Sequence, residues 1–588
     1  MLSFFRSSPS GKRIPYASVL TDGILSSAFF QFIMAMWAVV QSILVRLGLI
    51  DSVIVFVDPV GSGLDDSQAI QSLADSLIGS GKTIVFRPGT YFILTEMHPH
   101  FGWPNFRANS ACRFIAKQVK IASHPTPACF YFLPAFGAAT TLAADAAKGS
   151  MVVTVVSAVG FVPGSMFEIG GSAASVGGNY RVKGTPTVNG ANFDVKIDRP
   201  LLTDQPSGAL TRIMTDHVEG WHFDGGGCSF SGVTCRYFSL SRSHRTIIEN
   251  VVFDDADGIA SDLLSYDNCG VANIARNLSY RMLAGSAPGT GGIILESNEL
   301  SVIENVDIRF AAGSAVAAVA VDTCFSCSVE EALASAVTIS CEQGPYCESN
   351  SVNGGRISYL KFGQSVPGLV NNIKSTHIDG VDFVGQQSLS FSSYVDFGNQ
   401  TDDTIISNCR MHMPLLGANG FAFTAQPQRN LSIDNNVLTA DRSVFSSVAQ
   451  NQLVLGFVGG AAGTHDVTVK NSRFADCETV GFSSSISSLK MRFLDCIFDN
   501  TKTGNATTCL LRTYGASLKL SFERCTGSVA AGSYVAIDGA TSNVVTVLDS
   551  DFGAANWLKV GGVTTGYKRG QTTLSTSGAG GTWTSVVF

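Results

Sequence analysis

The chain has 588 residues, of which only 14% are charged, and its mean hydropathy is positive. With 60 glycines and 18 prolines, this composition predicts a compact, strand-rich body with a continuous core rather than small domains on linkers. The net charge is −7 and no run of five basic residues occurs, so nucleic-acid binding through a phosphate-tracking patch is disfavoured.

The first predicted element is an apolar helix from Ile24 to Val45, a stretch without any charged residue. Its apolar residues follow a heptad pattern, and the opposite face is apolar too, so the helix must be buried all round. The stretch is long enough to span a bilayer, but it is too long for a signal peptide and no cleavage motif follows it. We expect an anchor buried in a larger assembly, with burial in a membrane as the alternative.

A short amphipathic helix is predicted next, from Asp65 to Gly79, with Asp65 or Asp66 as its cap. Its predicted apolar stripe consists of Ala69, Ile70, Leu73, Leu77 and Ile78. The chain then continues as strands, beginning with Ile84-Val85-Phe86. We expect this helix to cover the first turn of a strand-built body, because an unpaired strand edge invites aggregation.

Residues 143–212 have a different pattern, with strands separated by hairpin-type turns. The clearest of these turns is Val188-Asn-Gly-Ala191. We expect a small β-domain inserted here, after which Asp224-Gly-Gly-Gly227 resumes the main body.

Eight later segments share one pattern, in which alternating apolar residues lead into a polar turn residue and then a second short strand. Six of the predicted turn residues are Asn408, Asn436, Asn471, Asp495, Arg524 and Asp549, which lie 28, 35, 24, 29 and 25 residues apart. Asn suits such corners because it tolerates the left-handed conformation. Units of this size cannot bury a face alone, so they predict an all-β parallel coil of stacked turns.

The N-terminal part of this body resembles a known family. Three stretches carry the resemblance: Asp58-Pro-Val-Gly61, Asp65-Asp66-Ser-Gln-Ala-Ile70 and Phe86-Arg-Pro-Gly-Thr-Tyr91. They are similar to the N-terminal signature of the pectate-lyase-like right-handed parallel β-helix proteins, and especially to the tailspikes of tailed bacteriophages. The resemblance implies a homotrimer, a particle-bound N-terminus and polysaccharide binding. Its relatives include hydrolases, lyases, epimerases and inactive proteins, so it does not fix the chemistry.

Together these features predict five parts of the chain, namely the N-terminal apolar helix and particle anchor (1–50), the capping helix and first turns (51–142), the inserted β-domain (143–212), the main parallel β-helix (213–555) and a closing segment (556–588). The resemblance implies a virion location in the phage tail, after assembly in the host bacterial cytoplasm. Residues 1–50 would then bind phage tail or portal/adaptor proteins, and membrane contact of residues 24–45 is the alternative.

Four predicted strands end in an acidic residue: Asp267, Glu296, Asp322 and Glu342, separated by 29, 26 and 20 residues. If each interval is one turn, these acids form a column, with neighbours about 4.8 Å apart and next-but-one residues about 9.6 Å apart. The two distances bracket the carboxyl separations of retaining and inverting glycoside hydrolases. We expect Glu296 and Asp322 to be the catalytic pair first, with Glu342 and Asp267 as alternates. Capping of turns is the structural alternative.

Other clusters compete with this column. The acids Asp254, Asp255, Asp257 and Asp262 could serve instead or bind calcium, but they lack the spacing of a calcium loop. Cys324, Cys327, Cys341 and Cys347 superficially suggest zinc, but their spacing favours buried thiols. The fourteen cysteines are also too irregular for a disulfide framework, which favours free thiols in a reducing compartment. We expect neither a metal nor another cofactor.

Sugar binding commonly uses aromatic side chains that stack on pyranose rings. Tyr266 and Tyr346 neighbour the acid column, and Arg309 is an available cation, so these three are the predicted carbohydrate-binding residues. The predicted function is a tailspike that binds a capsule or lipopolysaccharide O-chain and cleaves it as an endo-glycosidase. The alternatives are a non-catalytic receptor-binding or structural tail protein and a polysaccharide lyase.

Overall fold

The computed structural model describes residues 54–588 except 62, 117–127, 171–175, 233–235, 255–261, 282–290, 311–316, 343, 345, 366–371, 385–392, 414–418, 424–425, 441–454, 458–463, 476–479, 482–487, 501–510, 513–517, 530–534, 538–542, 552–557, 561–563, 570–580 and 586–588. From residue 56 onward the described residues belong to one compact unit. The predicted apolar helix at 24–45 lies outside the described residues. Within the described ranges, no helix has both the length and the hydropathy needed to cross a bilayer.

Residues 83–585 wind mainly as a parallel β-helix, which confirms the predicted all-β coil. Successive turns pair in register, so that Ile248 lies opposite Ala275, Ala275 opposite Ile303 and Ile303 opposite Val329. All four side chains are buried. Residues about one repeat apart therefore lie directly above one another, at the strand spacing of about 4.8 Å.

Two faces of the coil meet at a corner that three long strands cross, β14 (His222–Ser231), β16 (Ile247–Asp254) and β18 (Ile274–Arg281). The described chain opens with β1 (Ile54–Val57). The other strands of the first face are β2 (Thr83–Phe86), β4 (Asn105–Arg107), β20 (Val302–Glu304), β23 (Ser328–Glu330), β27 (Ser351–Asn353), β31 (His377–Asp379), β35 (Ile405–Ser407), β39 (Leu431–Asp434), β42 (Thr464–Lys470), β45 (Ser488–Leu494), β48 (Leu518–Glu523), β51 (Asn543–Leu548), β53 (Thr564–Arg569) and β54 (Gly581–Ser585). The other strands of the second face are β3 (Gly89–Phe92), β5 (Cys112–Ile115), β21 (Asp307–Ile308), β24 (Leu333–Ala334), β28 (Arg356–Ile357), β32 (Asp382–Val384), β36 (Arg410–Met413), β40 (Val437–Ala440), β43 (Arg473–Ala475), β46 (Ile497–Asn500) and β49 (Thr526–Val529).

The third face is a separate parallel sheet of ten strands. They are β6 (Ala128–Phe132), β15 (Arg236–Ser241), β17 (Leu264–Asp267), β19 (Ile293–Glu296), β22 (Val319–Asp322), β25 (Val337–Cys341), β29 (Leu360–Ser365), β33 (Ser393–Phe397), β37 (Asn419–Phe423) and β41 (Leu455–Phe457). Shorter parallel strands are β26 (Tyr346–Glu348), β30 (Asn372–Lys374), β34 (Gln400–Asp402), β38 (Gln428–Arg429), β44 (Val480–Gly481), β47 (Leu511–Arg512), β50 (Val535–Ile537) and β52 (Leu558–Val560). Inside this face, Phe362, Phe397 and Phe423 stack with ring centroids 4.7 and 4.8 Å apart. The core is therefore continuous from turn to turn.

Polar side chains form a ladder along the corner between the first and second faces. Asn250, Asn277 and Asn305 all have positive φ, at 57°, 53° and 49°. The Asn277 amide donates to Asn250 Oδ1 at 2.9 Å, and the Asn305 amide donates to Asn277 Oδ1 at 2.7 Å. Each Asn thus satisfies the one in the preceding turn while it occupies a conformation that few other residues accept.

One predicted corner residue is wrong by one position. Asn408 is left-handed as predicted, but in the next turn the left-handed residue is Asn435, not Asn436. Asn435 donates to Asn408 Oδ1 at 2.7 Å and so continues the ladder. Asn436 is buried instead, where its side chain accepts from Cys409 N and donates to Ile406 O. The adjacent asparagines therefore have different roles, one at the corner and one inside it.

The helix α1 spans Ser67–Ser76, shorter than predicted. Its inward stripe is Ile70, Leu73, Ala74 and Leu77, with Ile70 and Ala74 fully buried in the coil's core. The predicted Ala69 and Ile78 are exposed, because they lie on the solvent side of that stripe.

The two acidic residues before α1 tie it to the first strands. Asp66 occupies the N-cap position and its backbone oxygen accepts from Ile70 N, but its carboxylate makes no capping bond and instead accepts from Val60 N at 2.5 Å and from Phe92 N at 2.7 Å. Asp65 Oδ1 accepts from Ser67 N at 3.0 Å and from Leu94 N at 3.1 Å. Of the two predicted caps, Asp66 therefore has the position and Asp65 has the side-chain bond.

Between β6 and β14, antiparallel strands replace the coil. One sheet contains β7 (Phe136–Thr141), β9 (Met166–Ile169), β10 (Gly178–Arg181) and β13 (Leu210–Met214), and the other contains β8 (Val152–Val155), β11 (Thr187–Asn189) and β12 (Asn192–Lys196). Gly190 turns between β11 and β12 with φ 62°, at the predicted hairpin. A hydrophobic cluster separate from that of the coil holds these strands together, and it includes Phe161, Phe167 and Tyr180. We call residues 136–214 the antiparallel segment.

Candidate active site

The third face places three of the predicted acids in one column. Glu296 lies directly opposite Asp322 in the next turn, and Leu295 lies opposite Tyr266, the residue before Asp267. The inward residues Leu264, Tyr266, Leu295 and Val321 are buried, and the acids, which alternate with them, point out of the coil. The strand-end positions from one turn to the next are Ser241, Asp267, Glu296, Asp322 and Ser340. We call this set the acid column.

The fourth predicted acid does not belong to this column. Val321 lies opposite Ile339 rather than Cys341, and Asp322 lies opposite Ser340 rather than Glu342. The prediction took strand β25 to end at the acid, whereas the strand starts and ends earlier and its register is set by its buried residues. Glu342 is two residues further along, and its backbone N–H donates to Asp322 Oδ1 at 2.7 Å.

Asp322 is held by neutral donors. Besides Glu342 N, the Ser340 hydroxyl donates to Asp322 Oδ1 at 2.9 Å and the Thr323 hydroxyl at 3.1 Å. Burial raises the pKa of Asp322 above its ordinary value, and these three hydrogen bonds offset only part of the shift because they stabilise the ionised form. All three donors reach the same oxygen, so this carboxylate is fixed through Oδ1.

Asp267 is held differently. The hydroxyls of Ser265 and Ser239 donate to Asp267 Oδ2 at 3.0 and 3.4 Å, and Arg236 Nη1 lies 3.6 Å from the same oxygen. Arg236 Nη2 also lies 3.3 Å from Asp262 Oδ2. Burial raises the pKa of both aspartates above the ordinary value, and the nearby guanidinium offsets part of that shift. Sequence reasoning put Asp262 in a competing cluster and did not identify Arg236.

Glu296 stands between these two carboxylates without a partner. In the described part of the chain, no hydrogen bond or ion pair reaches its carboxyl group, although Asp267 and Asp322 both do receive donors. Burial, followed by repulsion from Asp267 and Asp322, raises the pKa of Glu296 to about 7. A carboxyl group with such a pKa holds a proton near neutrality and can act as a general acid.

Glu342 is a weaker member of the same cluster. Burial and then repulsion from Asp322 raise its pKa, and Lys361 lowers it. The column and its surroundings therefore contain five carboxyl groups, those of Asp262, Asp267, Glu296, Asp322 and Glu342.

Two of the predicted carbohydrate-binding residues do not present a free ring or cation beside the acid column. Tyr266 is fully buried inside the coil, where its hydroxyl donates to Ile274 O at 2.9 Å, so its ring cannot stack on a sugar. Arg309 follows the second face and forms an exposed ion pair with Asp307, with Nε 2.5 Å from Oδ1. It therefore does not extend the acid column, which lies at the other end of the third-face strands.

Tyr346 lies beside the third face, at the corner that leads to the first face. Its ring is half-buried, the Lys374 ammonium lies 4.3 Å from the ring centroid, and Phe325 packs edge-on at 5.7 Å. Its hydroxyl donates to Leu202 O of the antiparallel segment at 3.3 Å. One face of this ring is thus already covered by a cation.

The antiparallel segment borders the acid column. Its Glu168 pairs with Arg242 of the coil, with Oε1 3.1 Å from Nη2, and the Asn179 amide donates to Cys269 O at 2.8 Å. Arg199 Nε lies 2.5 Å from Glu299 Oε2. These contacts fall just beyond the strand ends that carry the acids, so the segment forms a wall beside the column.

The cysteines of the candidate zinc site are buried structural thiols. Cys324, Cys327, Cys341 and Cys347 are all free and buried in the coil. The Cys324 thiol donates to Leu295 O at 3.3 Å. Among the described residues, no group of three or more His, Cys, Asp or Glu side chains is arranged to hold a metal ion.

No protein-family model matches the chain, and no curated protein matches it significantly. Solved structures do match. The tailspike gp61 of Pseudomonas phage phi297 is 10% identical, with 84% of this chain and 74% of that chain covered and a TM-score of 0.45. The tailspike of E. coli bacteriophage HK620 in complex with a pentasaccharide is 11% identical, with coverages of 86% and 76% and a TM-score of 0.44.

A third match is the gp54 tailspike of Acinetobacter baumannii bacteriophage AP22 in complex with a capsular saccharide, at 12% identity, coverages of 89% and 74% and a TM-score of 0.29. At such identities and TM-scores these likenesses carry no argument about activity, and the fold assignment stands on the strand register alone. The chain is a parallel β-helix protein, and the solved structures to which it is similar include phage tailspikes.

Proposed function

We propose that this chain is a phage tailspike that binds a bacterial surface polysaccharide, either capsule or lipopolysaccharide O-chain, and cleaves it by carboxylate acid/base hydrolysis. The observation that carries the hydrolytic part is the unpartnered carboxyl of Glu296 between two fixed carboxylates, Asp267 and Asp322. Paired acids whose surroundings drive their pKa values apart are the requirement for glycoside hydrolysis near neutral pH.

In this mechanism Glu296 donates its proton to the glycosidic oxygen as the bond to the leaving sugar breaks. Asp322 is the opposing carboxylate, because its Oδ1 is fixed by three donors while none of them reaches Oδ2. Neighbouring turns are about 4.8 Å apart, which is close to the separation of about 5–5.5 Å between the two carboxyl groups of retaining enzymes. We therefore assign a retaining mechanism. Asp322 attacks the anomeric carbon as the leaving sugar departs, and a water that Glu296 then deprotonates breaks the bond to Asp322 and returns the proton to Glu296. Asp267 supports the cationic transition state electrostatically.

The direct test is to incubate the purified full chain with a panel of bacterial capsular polysaccharides and lipopolysaccharides and to measure new reducing ends. Wild-type protein and the Glu304→Gln control should cleave the same polysaccharide, and Glu296→Gln and Asp322→Asn should not. Glu304 suits the control because it ends a strand of the first face and is exposed. Cleavage by both column variants at the wild-type rate would remove the proposed site.

The two alternative functions give different outcomes in this assay. A non-catalytic receptor-binding or structural tail protein would retain the polysaccharide without producing reducing ends. A polysaccharide lyase would release unsaturated sugars that absorb in the near ultraviolet.

The remaining features fit the same proposal. Helix α1 would close the first turn of the coil, and the antiparallel segment would be the inserted domain. Residues 1–50 would anchor a homotrimer to phage tail or portal/adaptor proteins in the virion after assembly in the host cytoplasm, while residues 556–588 would close the coil. Mass measurement of the purified assembly and of a chain lacking residues 1–50 tests the trimer and the anchor separately.

A further inference from the structure

One cation serves two carboxylates at the upstream end of the acid column. Arg236 begins β15, one turn before Asp267, and its guanidinium reaches both Asp262, at 3.3 Å through Nη2, and Asp267, at 3.6 Å through Nη1. A planar guanidinium can hold two acceptors in fixed directions, which a lysine ammonium cannot do.

Two hydroxyl groups complete the arrangement around Asp267. Arg236 Nη1 donates to the hydroxyl oxygens of Ser239 and Ser265, each at 3.4 Å. Both hydroxyls in turn donate to Asp267 Oδ2. Arg236 therefore orients the serines as well as the carboxylate, and the two hydroxyl hydrogen bonds to Oδ2 stabilise the ionised form of Asp267.

Asp262 is buried beside the guanidinium. A Cβ placed on Gly291 in the next turn would lie 2.7 Å from Asp262 Oδ1. A larger residue at this position would therefore displace the carboxyl group. Arg236 thus lies between a buried aspartate and one that belongs to the acid column.

We propose that Arg236 is a positioning residue for the hydrolysis: it fixes Asp262 and Asp267 as carboxylates, so that the proton in the acid column stays on Glu296. The inference rests on the proposed function. Without the guanidinium, burial would favour protonation of Asp267, and Glu296 would then compete for the same proton with its neighbour. Arg236 contacts neither the scissile bond nor Glu296. It acts through its ion pair with Asp267 and, at longer range, through the charge that lowers the pKa of Glu296.

The test compares Arg236→Met and Arg236→Lys with Arg473→Met, in the full chain. Arg473 is a matched control, because it forms an ion pair with Asp499 at 3.0 Å on the second face and is half-exposed. The readout is the pH profile of kcat and of KM on the polysaccharide that the wild-type chain cleaves.

We expect Arg236→Met to move both limbs of the profile to higher pH, since the guanidinium lowers the pKa of Asp267 and of Glu296. A limb shift of one pH unit corresponds to a loss of about tenfold in kcat on the acidic side. Arg236→Lys should restore part of the shift, while Arg473→Met should leave both limbs in place. An equal loss of rate at every pH, with both limbs of the pH profile at their wild-type positions, would show that Arg236 has only a structural role and would overturn the proposal.

A second measurement needs no substrate. In thermal unfolding, Arg236→Met should lose more stability relative to wild type at pH 8 than at pH 5, because the two aspartates are then charged and unpaired in the folded state. Arg473→Met should show the same small loss at both pH values. Equal losses for Arg236→Met at both pH values would overturn the proposal. If the wild type cleaves no polysaccharide, the proposed function fails, yet this comparison still decides whether Arg236 keeps the aspartates ionised.

Discussion

Two columns of polar side chains run along this coil at the same spacing, and they behave in opposite ways. At the corner between the first and second faces, the amides of Asn277 and Asn305 each donate to the asparagine of the preceding turn. On the third face, the carboxyl groups of Asp267, Glu296 and Asp322 are stacked in the same manner but have no hydrogen to give each other when ionised.

The comparison shows what stacking does to different side chains. An amide contains both a donor and an acceptor, so a column of amides satisfies itself and stabilises the turns. A column of carboxylates repels itself, and it is kept only where outside donors fix the end members and the middle member takes up a proton. The same geometry therefore gives a structural ladder at one edge and a candidate acid/base pair at another.

Replacing the middle acid should have the largest effect on activity. Glu296→Gln keeps the shape of the side chain but removes its transferable proton, so kcat should fall by about 10²- to 10⁴-fold, as expected for loss of a general acid. Reducing-end assays of the variant beside Glu304→Gln measure this. A loss below about fivefold would show that the unpartnered carboxyl is not the acid.

The same residue should make stability depend on pH. The pKa of Glu296 is raised from 4.5 to about 7 in the folded chain, so stability is fully present below about pH 4.5 and declines as pH rises to about 7. The cost is on the order of 3 kcal/mol at pH 8. Thermal unfolding at pH 4.5 and pH 8 should show a smaller pH-dependent loss in Glu296→Gln than in wild type. Identical pH dependence in both proteins would contradict the raised pKa.

Weakening one donor to the downstream carboxylate should have a moderate effect. Ser340→Ala removes the hydroxyl that donates to Asp322 Oδ1 at 2.9 Å, which should raise the pKa of Asp322. Activity should then drop about threefold to tenfold on the acidic side of the pH profile and less at neutral pH. Ser432→Ala, at a solvent-facing position of the first face, is the control for the pH profile. A drop of equal size at every pH in Ser340→Ala would count against a role of Ser340 in setting the pKa of Asp322.

Placing an acid in the asparagine ladder tests the comparison directly, and we expect the smallest effect from this change. Asn277→Asp keeps a residue that accepts the left-handed corner but loses the donor to Asn250, so it should destabilise the coil by about 1 kcal/mol at pH 7. Stability should recover near pH 3, where the new carboxyl group is protonated and can donate. Unfolding measurements that show no such recovery would mean that the amide column contributes little.

The coil could be predicted because its signals repeat. Alternating apolar residues and polar corners recur every two to three dozen residues, and the buried residues of each turn enforce the register that these repeats suggest. Single corner positions were harder to predict. Where two asparagines are adjacent, as at Asn435 and Asn436, nothing local decides which one turns the corner and which one fills its interior.

The site could be predicted only as far as the register is regular. Asp267, Glu296 and Asp322 end strands of equal pattern, and the structure aligns them. Glu342 failed because β25 begins at Val337, earlier than predicted, so its pairing with β22 brings Ser340 and not Glu342 opposite Asp322. Arg236 was missed because its long side chain extends from one turn to contact aspartates of the next turn. Residue spacing in the sequence does not predict such a contact.

The stacked rings of Phe362, Phe397 and Phe423 limit how the length of such a chain can change. Each ring stacks on the ring of the adjacent turn. Removal of one complete turn would therefore stack phenylalanine on phenylalanine again and would leave the acid column undisturbed. Removal of half a turn would instead insert a solvent-side residue among the aromatics. Insertions and deletions that this coil tolerates should therefore add or remove whole turns.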